Sequence, residues 1–409
     1  MRVLAVVELG SNWGHLLRLL PLVKALRARG DEVVMAVPDV ELARSAFLGE
    51  DVRIEACPGA GRQDGQRYRT PVSHYAELLH RCAFGDEPLL EVALRDWAAF
   101  VARCKPDAML TDFAPTALLV AHLHRLPLVQ VAIGWEAPPA GEALPSVRPW
   151  ETVDLAPMRQ LEQEMLDRLN RICARENAPL LPRVAALYST GTQLLATWPE
   201  ADHFGPRAVA NYIGPIFSAD HGMQVSWPPR RVRDKHVLIY LAPDPRNMTI
   251  VDAMRRSPVH VIAILPTISA QLRRRLHGPR FQVFDQPVRL DALIRETDLV
   301  IYNGGHGLTA ISMLAGVPML ALPKTMEQAL AIERLTQTGA IRSIVSAGGP
   351  ARAAHLAHEV LADGTSRNAA EVMARRYATM KQERTVAAVV NALTSCPGTD
   401  AGPRHAPPG

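Results

Sequence analysis

Apolar residues in this chain come in short unbroken runs, and between the runs the spacing turns helical. Residues 3–7 form the first run. Residues 16–29 then bring apolar side chains back every three or four positions until Gly30, and residues 32–37 form the next run. The alternation continues with strands predicted at 52–56, 108–111 and 128–133, helical stretches between 73 and 104, and a helix at 116–124. An apolar run without polar alternation marks a strand buried on both faces, and strand–helix–strand repetition calls for a parallel sheet with helices on both sides. From 137 to 201 the pattern loosens into helical segments interrupted by prolines, and a Pro- and Arg-rich stretch follows. A second series then begins, with strands at 236–241, 259–265, 281–284 and 299–302 and helices at 248–256 and 268–276. A last helical stretch, 368–393, precedes a tail whose Pro- and Gly-rich composition predicts disorder.

Two such series predict an α/β fold with two domains. The expected boundaries are 1–215 for the first domain, 216–234 for a linker and 235–380 for the second domain. Residues 381–395 then form a helix returning to the first domain, and 396–409 the tail. The 409 residues exceed what a single core usually serves. Apolar residues make up 48% and charged ones 21%, a globular balance, and no run of eighteen apolar residues predicts a membrane-spanning helix. The five cysteines are scattered without a Cys-x-x-Cys pair, which predicts reduced thiols rather than a metal cluster. With a short N-terminal apolar run interrupted at Glu8, this predicts a cytoplasmic protein. A net charge of only +4 argues against a nucleic-acid surface, while local clusters such as Arg273-Arg274-Arg275 leave room for peripheral contact with an anionic membrane.

Chemistry concentrates in two turns. Gly304-Gly305-His306-Gly307-Leu308-Thr309 joins the strand at 299–302 to an apolar helix predicted from Thr309. Backbone N–H groups left free by a first helical turn, with the positive end of the helix dipole behind them, suit a phosphate. Glycine lets a diphosphate approach the backbone. Gly316-Val317-Pro318, an apolar run at 319–322, Pro323 and then Glu327-Gln328 follow in that order.

This order resembles the donor-binding segment of UDP-glycosyltransferases of the GT-B fold, especially the bacterial macrolide- and flavonoid-type enzymes, and the likeness extends over most of residues 1–395. It implies two Rossmann-like doubly wound parallel-sheet domains facing a cleft, the first for the acceptor and the second for the nucleotide sugar. It further implies an inverting hexosyltransferase that moves a sugar from a TDP- or UDP-linked donor to a hydroxyl of a small apolar natural product or lipid. A non-catalytic auxiliary partner of another glycosyltransferase and a sugar-nucleotide epimerase are the alternatives on the same fold. The nucleotide diphosphate sugar is the co-substrate; no other cofactor and no metal are implied, and a monomer or homodimer is expected.

The resemblance also assigns residues. His15, in the turn Gly10-Ser11-Asn12-Trp13-Gly14-His15, matches the family's base, and an imidazole titrating near neutrality suits removal of a hydroxyl proton. Read alone, the residue is first a histidine at a helix start that hydrogen-bonds a free end. Asp112, at the tip of the strand 108–111, matches the carboxylate that orients this base, and as a side chain it would also cap the helix after it. The diphosphate falls to Asn303, Gly304, Gly305, His306, Gly307, Leu308 and Thr309, and the donor sugar to Glu327 and Gln328. The nucleoside falls to Gln286, Val288, Arg289 and Ile311. Trp13 and Trp135, with Trp150, Met158, Leu161 and the stretch near Leu79, either line an apolar acceptor pocket or fill the core. Three positions depart from the family: Asn303 stands for a histidine, Leu308 for a small hydroxyl residue, and Ile311 for the glutamate that binds the ribose. Gln286-Pro287-Val288-Arg289 also stands where a tryptophan usually stacks on uracil. A ribose 2′-hydroxyl facing Ile311 would lack a partner, which predicts TDP over UDP.

Overall fold

In the computed structural model, described over residues 1–10, 12–59, 72–152, 154–344 and 352–395, the strands form two six-stranded sheets in which every pair is parallel. The first sheet holds β1 (Arg2–Val6), β2 (Glu32–Val37), β3 (Arg53–Ala56), β4 (Ala108–Thr111), β5 (Leu128–Ala132) and β6 (Thr192–Leu195), in the order β3-β2-β1-β4-β5-β6. The second holds β7 (His236–Tyr240), β8 (His260–Ile264), β9 (Phe281–Phe284), β10 (Leu299–Tyr302), β11 (Met319–Ala321) and β12 (Ile341–Ser343), in the order β12-β11-β10-β7-β8-β9. Both sheets wind outward from their first strand and then restart on its other side. Strand order therefore reverses between β1 and β4 in one sheet and between β7 and β10 in the other. Ligands of doubly wound sheets bind outside the carboxyl ends of the strands at such switch points.

Contacts divide the chain into one unit of Met1–Pro199, Pro206–Ile216 and Gln382–Gly409 and another of Glu200–Gly205 and Phe217–Lys381. In the first unit, β1 and β2 are buried on both faces, as their apolar runs require. The helix Trp13–Ala28 buries Leu16, Leu19, Leu20, Leu22, Val23 and Leu26 against them and continues through Pro21. The helix Gln382–Thr394 adds Val389, Val390 and Leu393 to the same core. The second unit gathers Val237, Ile239, Val261, Ala263, Leu299 and Ile301 into a separate core.

Four details differ from the sequence reading. β6 lies in the segment read as helical; it is a four-residue edge strand that pairs with β5 and on its other side holds only the isolated bridge of Leu195 with Tyr212, and its polar Thr192-Gln193 break the apolar run that marks a buried strand. β12, an edge strand of the second sheet, is shorter still. The stretch read as one helix over 368–393 is two, Thr365–Arg376 and Gln382–Thr394, and the chain passes from one unit to the other at the break. The helix expected from Thr309 begins at His306. Cys57, Cys82, Cys104 and Cys173 are free and buried. Among the described residues no helix is long and apolar enough to cross a membrane. The tail from residue 396, expected to be disordered, lies outside the described residues.

Candidate functional site

β1 and β4 pair in register from Val3 with Ala108 to Val6 with Thr111, so the turns leaving them emerge side by side at the first switch point. Asn12 caps the helix Trp13–Ala28 by accepting from the Gly14 N–H at 2.9 Å, which places His15 in the first turn. Asp112 follows the last residue of β4 and is fully buried. His15 Nδ1 meets Asp112 Oδ1 at 3.1 Å. Burial works against the imidazolium, but the carboxylate's charge and hydrogen bond outweigh it and raise the His15 pKa above its ordinary value. Asp112 moves the other way. Burial would raise its pKa, and Arg18 and His15 together hold it below the usual range. A carboxylate on Nδ1 fixes the tautomer that leaves Nε2 as the acceptor.

Two residues not singled out in the sequence complete the group. Arg18, one turn along the helix from His15, donates from Nη1 to Asp112 Oδ1 at 3.0 Å and to Glu136 Oε1 at 3.2 Å. Glu136 sits in the turn after β5, where Oε2 accepts from the Ile133 N–H at 2.7 Å and its carbonyl accepts from Gln130 Nε2 at 3.1 Å. Arg18 and Glu136 are both buried. Polar atoms of His15, Asp112 and Glu136 lie within 4.8 Å of one another, and the Arg18 guanidinium between the two carboxylates supplies positive charge to both. The i, i+3 step from His15 to Arg18 was the available sequence signal; Glu136, in an irregular turn, gave none.

At the second switch point Asn303 follows β10. Its Oδ1 accepts from the Ala242 N–H after β7 at 2.9 Å, and its Nδ2 donates to the Leu322 carbonyl after β11 at 2.7 Å. Both ends of this amide thus tie three strand ends together. Gly304 has φ +94, and Gly305 precedes the helix His306–Leu314. The Gly307 and Leu308 N–H groups fall in the first turn, where no intrahelical acceptor exists. A Cβ on Gly305 would meet nothing within 4 Å. Thr309 is buried, bonding Tyr302 Oη at 2.8 Å and donating to the Gly305 carbonyl at 3.0 Å. Leu308 and Ile311 are buried on the same helix. Glu327 Oε1 meets His203 Nε2 at 3.1 Å, and Gln328 Oε1 accepts from the Lys324 N–H at 2.9 Å in a capping box with Thr325. His203 and Lys324, which pairs with Asp244 at 3.0 Å, were not foreseen.

The remaining assigned residues are dispersed. Val288 is buried, Gln286 is exposed, and Arg289 pairs with Asp291 at 2.7 Å. Trp135 is buried with its ring edge-on to Tyr75 at 5.9 Å between centroids, Trp13 is partly buried, and Trp150 is half-exposed. Leu79 is wholly buried, whereas Met158 and Leu161 are partly exposed on the helix Leu155–Arg175.

No protein-family profile matches the chain. The elloramycin glycosyltransferase of Streptomyces olivaceus is 25% identical over 387 residues, covering 83% of this chain and 85% of that protein. Among solved structures, the glycosyltransferase of kitacinnamycin superposes with a TM-score of 0.68 at 19% identity, over 96% of this chain and 98% of that one. The spinosyn rhamnosyltransferase SpnG complexed with thymidine diphosphate superposes at 0.67 and 18%, over 96% of this chain and 100% of that one. The chain has the GT-B fold. The likeness to bacterial natural-product glycosyltransferases, expected from the motifs, is borne out by both comparisons. In GT-B terms, the two switch points built above are the carboxyl edges of its two Rossmann-like sheets.

Proposed function

We propose that this chain is an inverting glycosyltransferase that moves a sugar from a TDP-linked donor to a hydroxyl of a small natural product. The observation that carries this reading is the His15–Asp112 pair at the β1/β4 switch point, 3.1 Å apart, with Asp112 fully buried and His15 partly exposed. His15 Nε2 takes the acceptor's hydroxyl proton as the oxygen attacks the anomeric carbon. The bond from that carbon to the diphosphate oxygen breaks, and the nucleoside diphosphate leaves with the electron pair. Attack opposite the leaving group inverts the anomeric centre. Asp112 stabilises the imidazolium that forms, and the first-turn N–H groups of the helix His306–Leu314 receive the diphosphate's negative charge. Relatives named for elloramycin and spinosyn, the latter complexed with thymidine diphosphate, support the acceptor class and the nucleotide.

The reading is tested by incubating the protein with TDP- and UDP-sugars and a panel of polyketide and aromatic hydroxyl acceptors. The expected result is a glycoside whose anomeric configuration, read by NMR, is opposite to the donor's. A product of retained configuration, or neither transfer nor binding of thymidine diphosphate, overturns it.

A further inference from the structure

We propose that Arg18 and Glu136 are positioning residues of the dyad that act in opposite directions: Arg18 weakens the hold of His15 on a proton, and Glu136 strengthens it by leaving the group one positive charge short of neutrality. This rests on the reading of His15 as the base.

The four side chains form one hydrogen-bonded group. Arg18 Nη1 bonds both carboxylates, at 3.0 and 3.2 Å, and shares Asp112 Oδ1 with the imidazole. With His15 neutral, two carboxylates and one guanidinium leave a single net negative charge. When His15 accepts a proton the group becomes neutral. Net charge is costly where water is excluded, so this group favours the imidazolium that proton acceptance creates.

Each removal has a definite sign. Without Arg18, two carboxylates within 4.8 Å of the imidazole carry two negative charges. Imidazole is more basic than a carboxyl by about two pH units, so His15 would take a proton beforehand and hold it, leaving Nε2 no lone pair for the acceptor. Without the charge of Glu136 the group is neutral at rest, and a proton makes it positive. The directions agree: Asp112 and Glu136 favour the imidazolium, and Arg18 opposes it.

Charged groups on neighbouring elements have other partners or face solvent. Glu8, after β1, spends its carboxylate on the Thr116 and Ala117 N–H groups. Arg207 donates to the Gly134 carbonyl in the turn that carries Glu136. Of the helices packed on Trp13–Ala28, Val40–Ala46 pairs its Glu41 with its Arg44, and Gln382–Thr394 exposes Glu383 and Arg384.

The test is an NMR titration of His15 in the full chain, assigned by difference from His15→Gln, beside the pH profile of kcat/KM. Glu136→Gln is expected to move the His15 midpoint and the acid limb of the profile down by about one pH unit, and Arg18→Met to move both up by about as much. Arg18→Lys, which keeps the charge, is expected to return the midpoint towards wild type. Shifts of the same sign, or unmoved midpoints, overturn the proposal, because a merely structural role would lower Tm without separating the two variants. Should Arg18→Met fail to fold, the near-isosteric Glu136→Gln decides alone, and an unmoved midpoint overturns the proposal. If no donor and acceptor are turned over, the proposed function fails, while the His15 midpoints still decide this inference.

Discussion

Gly10 lies so close to the His15 imidazole that a Cβ on it would stand 2.4 Å from Nε2. Its φ of +92 also falls in the left-handed region. The ring has little room to retreat, because Nδ1 is held by Asp112. Gly10→Ala is therefore expected to push the imidazole off its carboxylate. Displacing a reacting group by about an ångström can cost on the order of 10²-fold in rate. We expect kcat to fall by that order while the affinity for thymidine diphosphate stays within a few-fold. Unchanged kcat in the folded variant would show that the ring is not fixed by this contact.

Asp112→Asn removes the counter-charge of the imidazolium. His15 has its pKa raised by Asp112 against the opposing effect of burial, so the variant's acid limb should shift to lower pH and its plateau rate should drop. A variant that melts far below wild type yet turns over normally per folded molecule would make Asp112 structural only; it does not cap the next helix, as the sequence allowed, because Glu8 accepts from that helix's Thr116 and Ala117 N–H groups.

Glu8 offers a pH test of stability away from the dyad. Burial raises its carboxyl from 4.5 to about 7, although the Thr116 and Ala117 N–H groups favour the charged form. Its folded pKa lies above its unfolded one, so stability present below about pH 4.5 is lost as pH rises through about 7, by at most about 3 kcal/mol. Glu8→Gln keeps an acceptor for the helix and removes this loss. The difference in Tm between variant and wild type should grow in the variant's favour from pH 4.5 to 7 and then level off. A difference independent of pH would contradict the linkage.

Gly305 separates ligand binding from folding. Its φ of −65 suits any residue, and an added Cβ meets no protein atom within 4 Å. Gly305→Ala should leave Tm nearly unchanged, yet weaken thymidine diphosphate binding about tenfold if the diphosphate packs against this backbone. Wild-type affinity by calorimetry would place the phosphate elsewhere.

Much of this was legible in the sequence because parallel strands buried on both faces read as continuous apolar runs, as in 32–37 and 299–302. The His15 and Asp112 turns were legible because they follow such strands directly. The edge strands β6 and β12 were not, since Thr192-Gln193 and Arg342-Ser343 leave them without the unbroken apolar run that marks β10. Nor were the side-chain commitments of Asn303 and Thr309, which the motif position suggested for a ligand. Their partners Ala242, Leu322 and Tyr302 become neighbours only through sheet pairing or helix geometry. Glu136 escaped for the same reason: its place beside Arg18 depends on β4 and β5 lying next to each other.

Whether His15 is the base of sugar transfer is decided by kcat/KM for transfer from a TDP-sugar by wild type and His15→Ala at one pH, with thymidine diphosphate affinity measured in parallel. Removing a general base typically costs about 10²–10⁴ in rate. A fall within that range is expected for His15→Ala, with nucleotide affinity held within a few-fold. Transfer by His15→Ala within about threefold of wild type would contradict it.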